Sequence, residues 1–316
     1  MNKILIATAS FGDSSSPAVK LLNREGIKFS LNPYQRKLKE TEITQLINDC
    51  DGVIAGTEVY SEKVLKNAKN LKIISRVGTG IDAIDIKAIK KLNIKLTNTP
   101  SAPVTAVSEL TLGLILSLTR NIHLSNLNMH SNKWVRGNGK GLEESTVGIL
   151  GYGRIGKHLA ANLVKIGCKK IIVYDLNKKQ LKKRKGVDFV SKNYLIKNSD
   201  IISIHLPLTK ATANMFNYTV FKKMKKNSYL VNTARGEIIN EDDLFKSLKN
   251  NIIAGAALDV FSNEPYNGDL TKLDNCITTA HLGPMSKLAR QNMELEAVQE
   301  LVSFFNGQKL KNSITG

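Results

Sequence analysis

The feature that most constrains the fold is a glycine-rich turn that joins an apolar segment to a helical one. Thr146–Leu150 has the composition of a buried strand, and the hexapeptide GYGRIG follows it at residues 151–156. Lys157–Ile166 then has helical periodicity, and Ile171–Tyr174 is a second short apolar run. Strand, G-x-G-x-x-G turn, helix and strand in this order are typical of a dinucleotide-binding unit.

The three glycines of the hexapeptide have separate physical tasks. Gly151 permits the tight turn, Gly153 lets the backbone approach a pyrophosphate, and Gly156 lets the helix pack closely on the strand. The N-terminus of the helix presents unpaired N–H groups and a partial positive charge. We therefore predict that this turn binds the pyrophosphate of a dinucleotide.

Asp175 ends the second strand, 19 residues after Gly156. A carboxylate at this distance binds both hydroxyls of the adenosine ribose, and it repels a 2′-phosphate. The spacing therefore favours NAD over NADP. Lys178 and Lys179 soften this preference, because an ammonium group can pair with a phosphate.

The rest of the chain alternates short apolar runs with amphipathic segments, which indicates parallel sheets covered by helices. Polar–apolar alternation is weak, as expected when both faces of a sheet are buried. The pattern predicts an α/β protein with two doubly wound, parallel-sheet domains and a cleft between them. The further strands predicted are Lys3–Ala7, Ile27–Leu31, Gly52–Ala55, Lys72–Arg76, Asn93–Thr97, Ile201–Ile204, Ser228–Val231, Ala254–Leu258 and Cys276–Thr279.

Helices are predicted between these strands, and the prolines of Asn98–Pro103 indicate a boundary between the domains. Ser14–Pro17 is expected to provide the cap and the first turn of a helix, which Glu25 and Gly26 would end. Trp134–Gly141 is expected to be a loop. The other predicted helices are Thr41–Asn48, Ser61–Ala68, Val104–Arg120, Ile122–Asn132 and Met285–Gly307.

Composition excludes several classes of protein. Hydrophobic residues make up 42% of the 316 residues, which is too many for a disordered or collagen-like chain. The net charge of +19 is spread along the sequence, and its one dense run, Lys178–Lys185, has no interleaved aromatic residues. We therefore expect a solvated basic surface and no nucleic-acid partner.

The three cysteines have no metal-binding spacing, and no apolar run is long enough to span a membrane. A cytoplasmic protein without a metal is expected.

Two of the five histidines lie where a ligand would be bound. His205 follows the strand Ile201–Ile204, and His281 follows the strand Cys276–Thr279. The carboxyl ends of the strands in an open parallel sheet form the ligand crevice, and an imidazole titrates near neutral pH. Both histidines are therefore candidates for a general base, and the pattern alone does not choose between them.

Two more charged residues follow predicted strands. Arg235 lies just past Ser228–Val231, where its guanidinium would match a substrate carboxylate. Glu264 follows Ala254–Leu258 and could orient a histidine. Taken alone, each is also an ordinary surface residue.

Six segments together carry a resemblance to a known family. They are Arg76–Asp82, Val107–Leu112, GYGRIG, Asn232–Glu237, Ala257–Pro265 and Thr279–Gly283. Occurring in this order along nearly the whole chain, they resemble the D-isomer-specific 2-hydroxyacid dehydrogenases, and most closely the phosphoglycerate dehydrogenase-like branch. Members of this family have two Rossmann-like or flavodoxin-like domains.

The resemblance implies a role for each matching residue. Arg235 would anchor the substrate carboxylate and carbonyl, His281 would be the acid and base, and Glu264 would be its partner. His205 would lie in the cofactor cleft instead. Backbone N–H groups of Val77 and Gly78 would bind the substrate carboxylate. The residues expected to contact the cofactor are Gly151, Gly153, Arg154, Ile155, Gly156, Asp175, Pro207, Thr212, Thr233, Ala234, Asp259 and Gly283.

The resemblance also implies a discontinuous domain arrangement. Residues 1–99 and 283–316 would form the substrate domain, and residues 100–282 would form the NAD-binding domain. The long helix after Pro103 would carry a homodimer contact. Closure of the cleft would exclude water from the substrate. Because the chain stops at Gly316, an appended regulatory domain and feedback inhibition by serine through it are not expected.

The implied reaction is NAD-dependent oxidation of a D-2-hydroxy acid to the 2-keto acid, or its reverse, of the 3-phosphoglycerate dehydrogenase type. One segment departs from that subtype. Members that bind a phosphate often have an arginine near the loop after the third strand, whereas Ala55–Tyr60 contains Glu58 and no arginine. The alternatives are a glyoxylate, hydroxypyruvate or other 2-keto acid reductase, and an NADH-sensing binding module without turnover.

Overall fold

A computed structural model describes residues 2–177 and 185–315 of the chain. The chain divides into two compact units, which we call the first and the second unit. The first unit comprises Met1–Pro103 and Ser286–Gly316, and the second comprises Val104–Met285. The predicted boundaries, at residues 99 and 283, lie a few residues before these divisions.

The described part of the first unit has a five-stranded parallel sheet with strand order β2-β1-β3-β4-β5. Helices alternate with the strands along the chain. The strands are β1 (Lys3–Ile6), β2 (Lys28–Leu31), β3 (Gly52–Ala55), β4 (Ile73–Arg76) and β5 (Lys95–Asn98), and the helices are α1 (Pro17–Arg24), α2 (Glu40–Ile47), α3 (Glu62–Asn67), α4 (Ile86–Lys91) and the C-terminal α11 (Lys287–Phe305).

Apolar clusters cover both faces of this sheet. Ile4 and Ile6 of β1 pack in one cluster with Leu22 of α1 and Leu301 of α11. Leu5, between them, packs on the opposite face in the cluster that contains residues of α2, α3 and α4. Successive side chains of a strand point to opposite faces, so burial of both faces explains why β1 and β3 have no polar–apolar alternation.

The described part of the second unit has a seven-stranded parallel sheet with strand order β12-β11-β10-β9-β6-β7-β8. Its strands are β6 (Thr146–Leu150), β7 (Lys170–Tyr174), β8 (Asp188–Phe189), β9 (Ile201–Ile204), β10 (Tyr229–Asn232), β11 (Gly255–Leu258) and β12 (Cys276–Thr278). Its helices are α5 (Val104–Thr119), α6 (Ile122–His130), α7 (Arg154–Lys165), α8 (Lys192–Asn198), α9 (Tyr218–Phe221) and α10 (Glu241–Lys249). The predicted two-sheet α/β fold is confirmed.

Each sheet has one point at which the strand order reverses. In the second unit the reversal lies between β6 and β9, and in the first unit it lies between β1 and β3. The loops that leave the carboxyl ends of two such strands diverge to opposite faces, which opens a crevice. Ligand-binding residues are therefore expected at these two places.

Helix α7 begins earlier than the sequence predicts. Its first residue is Arg154, not Lys157, and Gly153 occupies the cap position. Because Gly156 lies within the first turn and has no side chain, the apolar periodicity becomes visible only after it. No individual bounds were predicted for the helices α4, α8, α9 and α10. Of the predicted basic run Lys178–Lys185, residues 178–184 lie outside the described residues.

The segment 313–315 covers the outer edge of β5. The N–H of Ile314 donates to the carbonyl of Leu96 at 2.8 Å, and the N–H of Leu96 donates to Oγ1 of Thr315 at 3.1 Å. Ser313 pairs antiparallel with Thr97. Backbone groups that would otherwise face solvent are thereby satisfied.

No helix within residues 2–177 and 185–315 combines the length and apolar character that crossing a membrane requires.

Candidate active site

The three predicted catalytic residues follow three adjacent strands of the second unit. Arg235 follows β10, Glu264 follows β11, and His281 follows β12. Because these strands are parallel neighbours, their carboxyl ends lie side by side at one edge of the sheet. The topology therefore places the three loops next to one another.

A direct hydrogen bond joins two of these side chains. Nδ1 of His281 lies 2.9 Å from Oε2 of Glu264, and Oε1 of Glu264 accepts the N–H of Phe261 at 3.1 Å. An ionised carboxylate only accepts hydrogen bonds, so Nδ1 carries a proton. Nε2 is then the nitrogen that can exchange a proton with a ligand. The two side chains are 39% and 37% exposed, which leaves the pair accessible to a small molecule.

His281 has a backbone conformation that is rare for a residue with a side chain. Its φ is +53°, and a left-handed conformation costs about 1–2 kcal/mol. The turn is stabilised by Asp259, whose backbone carbonyl accepts the N–H of His281 at 2.9 Å. The carboxylate of Asp259 also accepts the N–H groups of Leu282 and Gly283, at 2.7 and 2.8 Å.

Asp259 is thus a central support of the His281 turn. It is 1% exposed, and the hydroxyl of Thr279 donates a further hydrogen bond to it at 2.6 Å. Its predicted contact with the cofactor stays a prediction, since these bonds already engage both carboxylate oxygens. Thr279 was not predicted as a support, because it lay within the predicted strand Cys276–Thr279, whereas the observed strand ends at Thr278.

The turn that carries Arg235 is fixed by a buried side chain that the sequence analysis also missed. Asn232, the last residue of β10, donates from Nδ2 to the carbonyl of Arg235 at 2.8 Å, and its Oδ1 accepts the N–H of Ala234 at 3.0 Å. Nη1 of Arg235 donates to the carbonyl of Ala234 at 2.6 Å. These contacts fix the backbone position from which the Arg235 side chain extends.

The Arg235 and Glu264 turns pack directly on each other. Gly236 lies so close to the backbone of Phe261 and Ser262 that a Cβ atom at this position would overlap it. Ser262 donates its N–H to Oε1 of Glu241 at 2.7 Å, which ties the same loop to α10. The close approach at Gly236 therefore couples the placement of Arg235 to that of Glu264.

Thr233 belongs to a buried chain of hydroxyl groups. Its Oγ1 lies 2.9 Å from Oγ1 of Thr111, and the hydroxyl of Thr111 donates to the carbonyl of Val107 at 2.7 Å. Since Thr111 has a single hydroxyl proton, Thr233 is the donor in the first bond. The lone pairs of Thr233 therefore remain able to accept a hydrogen bond.

The glycine-rich turn after β6 lies at the reversal of strand order. Gly151 has a φ of +99°, and a Cβ on it would overlap the carbonyl of His205. A Cβ on Gly156 would overlap the carbonyl of Gly151, whereas a Cβ on Gly153 would meet nothing within 4 Å. The backbone is thus tightly packed on the protein side and open above Gly153 and the N-terminus of α7. This shape fits a pyrophosphate.

Asp175, which directly follows β7, lies beside this turn. Its Oδ2 accepts the N–H of Tyr152 at 2.6 Å, and its Oδ1 accepts the N–H of Asn177 at 2.7 Å. Two hydrogen bonds fix the carboxylate and leave it partly exposed, with lone pairs available for ribose hydroxyls. Lys178 and Lys179, which the sequence analysis weighed against this preference, lie outside the described residues.

The loop after β9 is stabilised by its own threonine. The hydroxyl of Thr212 donates to the carbonyl of Pro207 at 2.7 Å and accepts the N–H of Thr209, also at 2.7 Å. Pro207 is exposed whereas Thr212 is buried. Thr212 therefore fixes the conformation of the loop in which Pro207 is exposed.

His205 differs chemically from His281. Its Nε2 lies 2.8 Å from Oγ of Ser203, and burial lowers the pKa of the imidazole to about 4. At neutral pH His205 is therefore uncharged, and no carboxylate is hydrogen-bonded to it within the described part of the chain. The structure supports His281 rather than His205 as the residue that exchanges a proton.

The lowered pKa of His205 predicts a loss of stability in mild acid. Between the ordinary value of 6.5 and about 4, the unfolded chain binds a proton that the folded chain does not. The free energy of unfolding should therefore fall as the pH drops, by about 2 kcal/mol between pH 7 and pH 5. Urea unfolding at both pH values measures this loss. The free energy of unfolding of His205→Asn should fall less over the same pH range. An equal fall in the variant and the wild type would show that His205 is not the residue responsible.

The two predicted substrate-binding residues of the first unit follow β4. The N–H of Val77 donates to the carbonyl of Ala55 at 2.9 Å, and the N–H of Gly78 donates to Oγ1 of Thr99 at 2.7 Å. Both groups are engaged within the first unit. Binding of a carboxylate to either N–H requires that one of these hydrogen bonds be exchanged.

The described residues include no group of three or more His, Cys, Asp and Glu side chains placed to hold a metal ion.

Comparison with known proteins establishes the family. Residues 112–283 match the family model of the D-isomer specific 2-hydroxyacid dehydrogenase, NAD binding domain. The chain is 37% identical over 262 residues to a glyoxylate reductase of Thermococcus litoralis, covering 80% of this chain and 79% of that protein. The chain belongs to the D-isomer-specific 2-hydroxyacid dehydrogenase family, and the predicted resemblance is confirmed.

Other relatives carry different names. The chain is 34% identical to a hydroxypyruvate reductase of Thermotoga maritima, covering 89% of this chain and 92% of that protein. It is 35% identical to a D-3-phosphoglycerate dehydrogenase of Methanocaldococcus jannaschii, covering 88% of this chain and 54% of that protein. A solved structure of a Thermus thermophilus protein superposes with a TM-score of 0.89 at 27% identity, covering 99% of this chain and all of that one.

The protein is therefore an enzyme of this family, and NAD is its cofactor. The residues of the second unit fit that cofactor. The open backbone at Gly153 suits the pyrophosphate, and the fixed carboxylate of Asp175 suits the ribose hydroxyls.

The Asp175 carboxylate should set the preference between the two nicotinamide cofactors. Asp175→Ala removes the negative charge that would face a 2′-phosphate, and it also removes the oxygens that would accept hydrogen bonds from the ribose hydroxyls. We expect kcat/KM for NADH to fall and the ratio of NADPH to NADH activity to rise by about tenfold or more. Steady-state kinetics with both cofactors measure the ratio. As a matched control, Asp188→Ala on β8 should leave the ratio of NADPH to NADH activity unchanged. An unaltered ratio in Asp175→Ala would show that Asp175 does not set the cofactor preference.

Proposed function

We propose that the protein uses NADH to reduce a short 2-keto acid to the D-2-hydroxy acid, and that it catalyses the reverse oxidation. The observation that carries this proposal is the 2.9 Å hydrogen bond between Nδ1 of His281 and Oε2 of Glu264. It leaves Nε2 as the proton-exchanging atom, and the turn packed against the Glu264 loop carries Arg235. A proton donor and a carboxylate-binding cation are the groups that this reaction requires.

Each side chain then has one chemical task. When bound, the reduced nicotinamide supplies the hydride that the keto carbon accepts. The guanidinium of Arg235 binds the substrate carboxylate and polarises the carbonyl. Nε2 of His281 donates a proton to the carbonyl oxygen, and in the oxidative direction it takes the proton of the hydroxyl. Glu264 stabilises the protonated imidazole and fixes its orientation.

We further propose that the substrate is glyoxylate, hydroxypyruvate or a similar short 2-keto acid. The reductases of glyoxylate and hydroxypyruvate align over 79% and 92% of their own lengths. The second candidate is the 3-phosphoglycerate dehydrogenase type, which the 35% identical relative favours. The chain spans about half the length of that relative, which aligns over 54% of its sequence.

A panel of acids tests the proposal. Purified protein is assayed for NADH oxidation with glyoxylate, hydroxypyruvate, pyruvate and 3-phosphohydroxypyruvate, and for NAD⁺ reduction with the matching D-hydroxy acids. The highest kcat/KM on an unphosphorylated short acid is expected. Selective activity on the phosphorylated acid would instead support the second candidate. Tight NADH binding with no turnover of any acid would favour a binding module and overturn the enzymatic proposal.

We also propose that the protein is a homodimer through the second unit. Within helix α6 no residue is buried, and Ile122, Leu127 and Met129 are each more than half exposed. Trp134, in the following loop, is 74% exposed. Large apolar side chains clustered along one segment favour a protein partner. Sedimentation equilibrium should give twice the chain mass of 34.8 kDa, and a monomer at micromolar concentration would contradict the proposal.

A further inference from the structure

The first unit has its own crevice where the strand order reverses, between β1 and β3. Glu58 lies in the loop that follows β3. It is 1% exposed, and its Oε2 accepts the N–H of Gly56 at 2.7 Å. Carboxylates are almost never fully buried unless they are paired. A buried acid at the place where a doubly wound sheet binds ligands therefore calls for an explanation.

The chain is closely packed around Glu58. A Cβ atom on Gly56 would lie 2.8 Å from Oε1 of Glu58 and 3.2 Å from Cα of Thr8, which follows β1. Burial raises the pKa of the Glu58 carboxyl, and the N–H of Gly56 and the positive charge of Arg76 act in the opposite direction. Arg76 ends β4 and directly precedes Val77 and Gly78.

Two buried hydroxyl groups lie in the same region. Within the residues that the structure describes, Oγ1 of Thr8 and Oη of Tyr60 make no hydrogen bond. Glu58 and Arg76 both act electrostatically on Tyr60, whose pKa is raised well above its ordinary value, mainly by burial. Unsatisfied buried hydroxyls cost free energy. Thr8 and Tyr60 therefore indicate a place where a polar ligand group is accommodated.

Glu58 already occupies the groups that would otherwise bind an anion here. A backbone N–H and a guanidinium are the usual partners of a phosphate or a second carboxylate. In this crevice the N–H of Gly56 donates to Glu58, and the positive charge of Arg76 acts on the same carboxylate. A substrate with an anionic tail would have to displace Glu58 or lie beside it, and like charges in a buried site repel strongly.

We propose that Glu58 is a specificity-determining residue: its carboxylate acts as an internal anion in the β1/β3 crevice and excludes substrates whose tail carries a second negative charge. The tail that fits is short and uncharged, such as a hydrogen or a hydroxymethyl group. A hydroxymethyl group could use the free hydrogen-bonding capacity of Thr8. This inference rests on the proposed function and on Val77 and Gly78, next to Arg76, being substrate-binding residues.

The test compares Glu58→Gln with Glu62→Gln. The first variant removes the charge and keeps an amide oxygen for the N–H of Gly56. The second removes an exposed carboxylate of α3, in the same unit, that pairs with Lys66. For each protein, kcat/KM is measured on glyoxylate, hydroxypyruvate and 3-phosphohydroxypyruvate. In Glu58→Gln the ratio of phosphorylated to unphosphorylated activity should rise by about tenfold or more, and in Glu62→Gln it should not change.

A binding measurement keeps this test separate from the test of the proposed function. The NAD⁺-loaded proteins are titrated calorimetrically with 3-phosphoglycerate, which requires no turnover. Glu58→Gln should bind it about tenfold more tightly than the wild type, and Glu58→Asp, which keeps the charge, should not. If Glu58→Gln does not fold, Glu58→Met provides a second uncharged side chain of similar volume.

The outcomes are distinguishable. An unchanged ratio together with unchanged affinity in folded Glu58→Gln overturns the role of Glu58, whatever the wild-type substrate is. A wild type that reduces none of the short acids overturns the proposed function, and the calorimetric comparison still decides whether Glu58 repels an anion.

Discussion

Replacing His281 with alanine is expected to lower kcat by about 10²- to 10⁴-fold, the range of general acid–base catalysis. Nε2 is the atom that would exchange a proton with the substrate, because Nδ1 is hydrogen-bonded to Glu264 at 2.9 Å. Without the imidazole, the carbonyl oxygen must take its proton from water while it becomes negatively charged. Stopped-flow measurement of NADH oxidation under single-turnover conditions isolates this step.

The loss should be confined to the chemical step. NADH affinity of His281→Ala, measured by fluorescence titration, should remain within a fewfold of the wild type, since the cofactor turn follows a different strand. Tyr34→Ala, which removes an exposed ring of the first unit, is a control and should keep the wild-type rate. A wild-type single-turnover rate in His281→Ala would show that this residue does not exchange a proton with the substrate.

Replacing Arg235 with alanine is expected to lower kcat/KM by about 10³-fold. The guanidinium would bind the substrate carboxylate through two parallel hydrogen bonds and polarise the carbonyl, so its loss affects both binding and the transition state. Arg235→Lys should recover part of the activity, because an ammonium keeps the charge but not the planar pair of donors. Initial rates over a wide range of keto-acid concentration separate kcat from KM.

The Arg235 result needs a control for the loss of positive charge in a basic protein. Arg24, at the end of α1, is exposed and pairs with Glu25, so Arg24→Ala should behave as the wild type. Guanidinium added to the Arg235→Ala assay should restore activity in proportion to its concentration. Equal kcat/KM in Arg235→Ala and the wild type would show that another group binds the carboxylate.

Much of the fold follows from local sequence. Most strands are short, largely apolar and separated by helical segments, so their positions along the chain and their parallel arrangement could be predicted, most with ends within one or two residues. The exceptions have local causes. Helix α7 starts before its periodicity becomes visible, and the six residues of α4, Ile86–Lys91, contain too few turns to show a pattern.

The site was less predictable than the fold. Arg235, Glu264 and His281 could be named because each follows a strand and matches a family segment. The supports of these residues depend on contacts between distant positions. Asp259 meets Thr279, 20 residues away, and Gly236 meets the Phe261–Ser262 backbone. The left-handed turn at His281 likewise results from these contacts, and no local preference of histidine predicts it.

The antiparallel cover on β5 has a consequence for handling the protein. Proteolytic trimming after Lys311 would remove Ser313, Ile314 and Thr315 and leave the outer backbone groups of β5 without partners. An uncovered strand edge is a template on which other chains can add β-structure. Clipped preparations should therefore aggregate during storage, while intact protein of the same concentration stays dispersed.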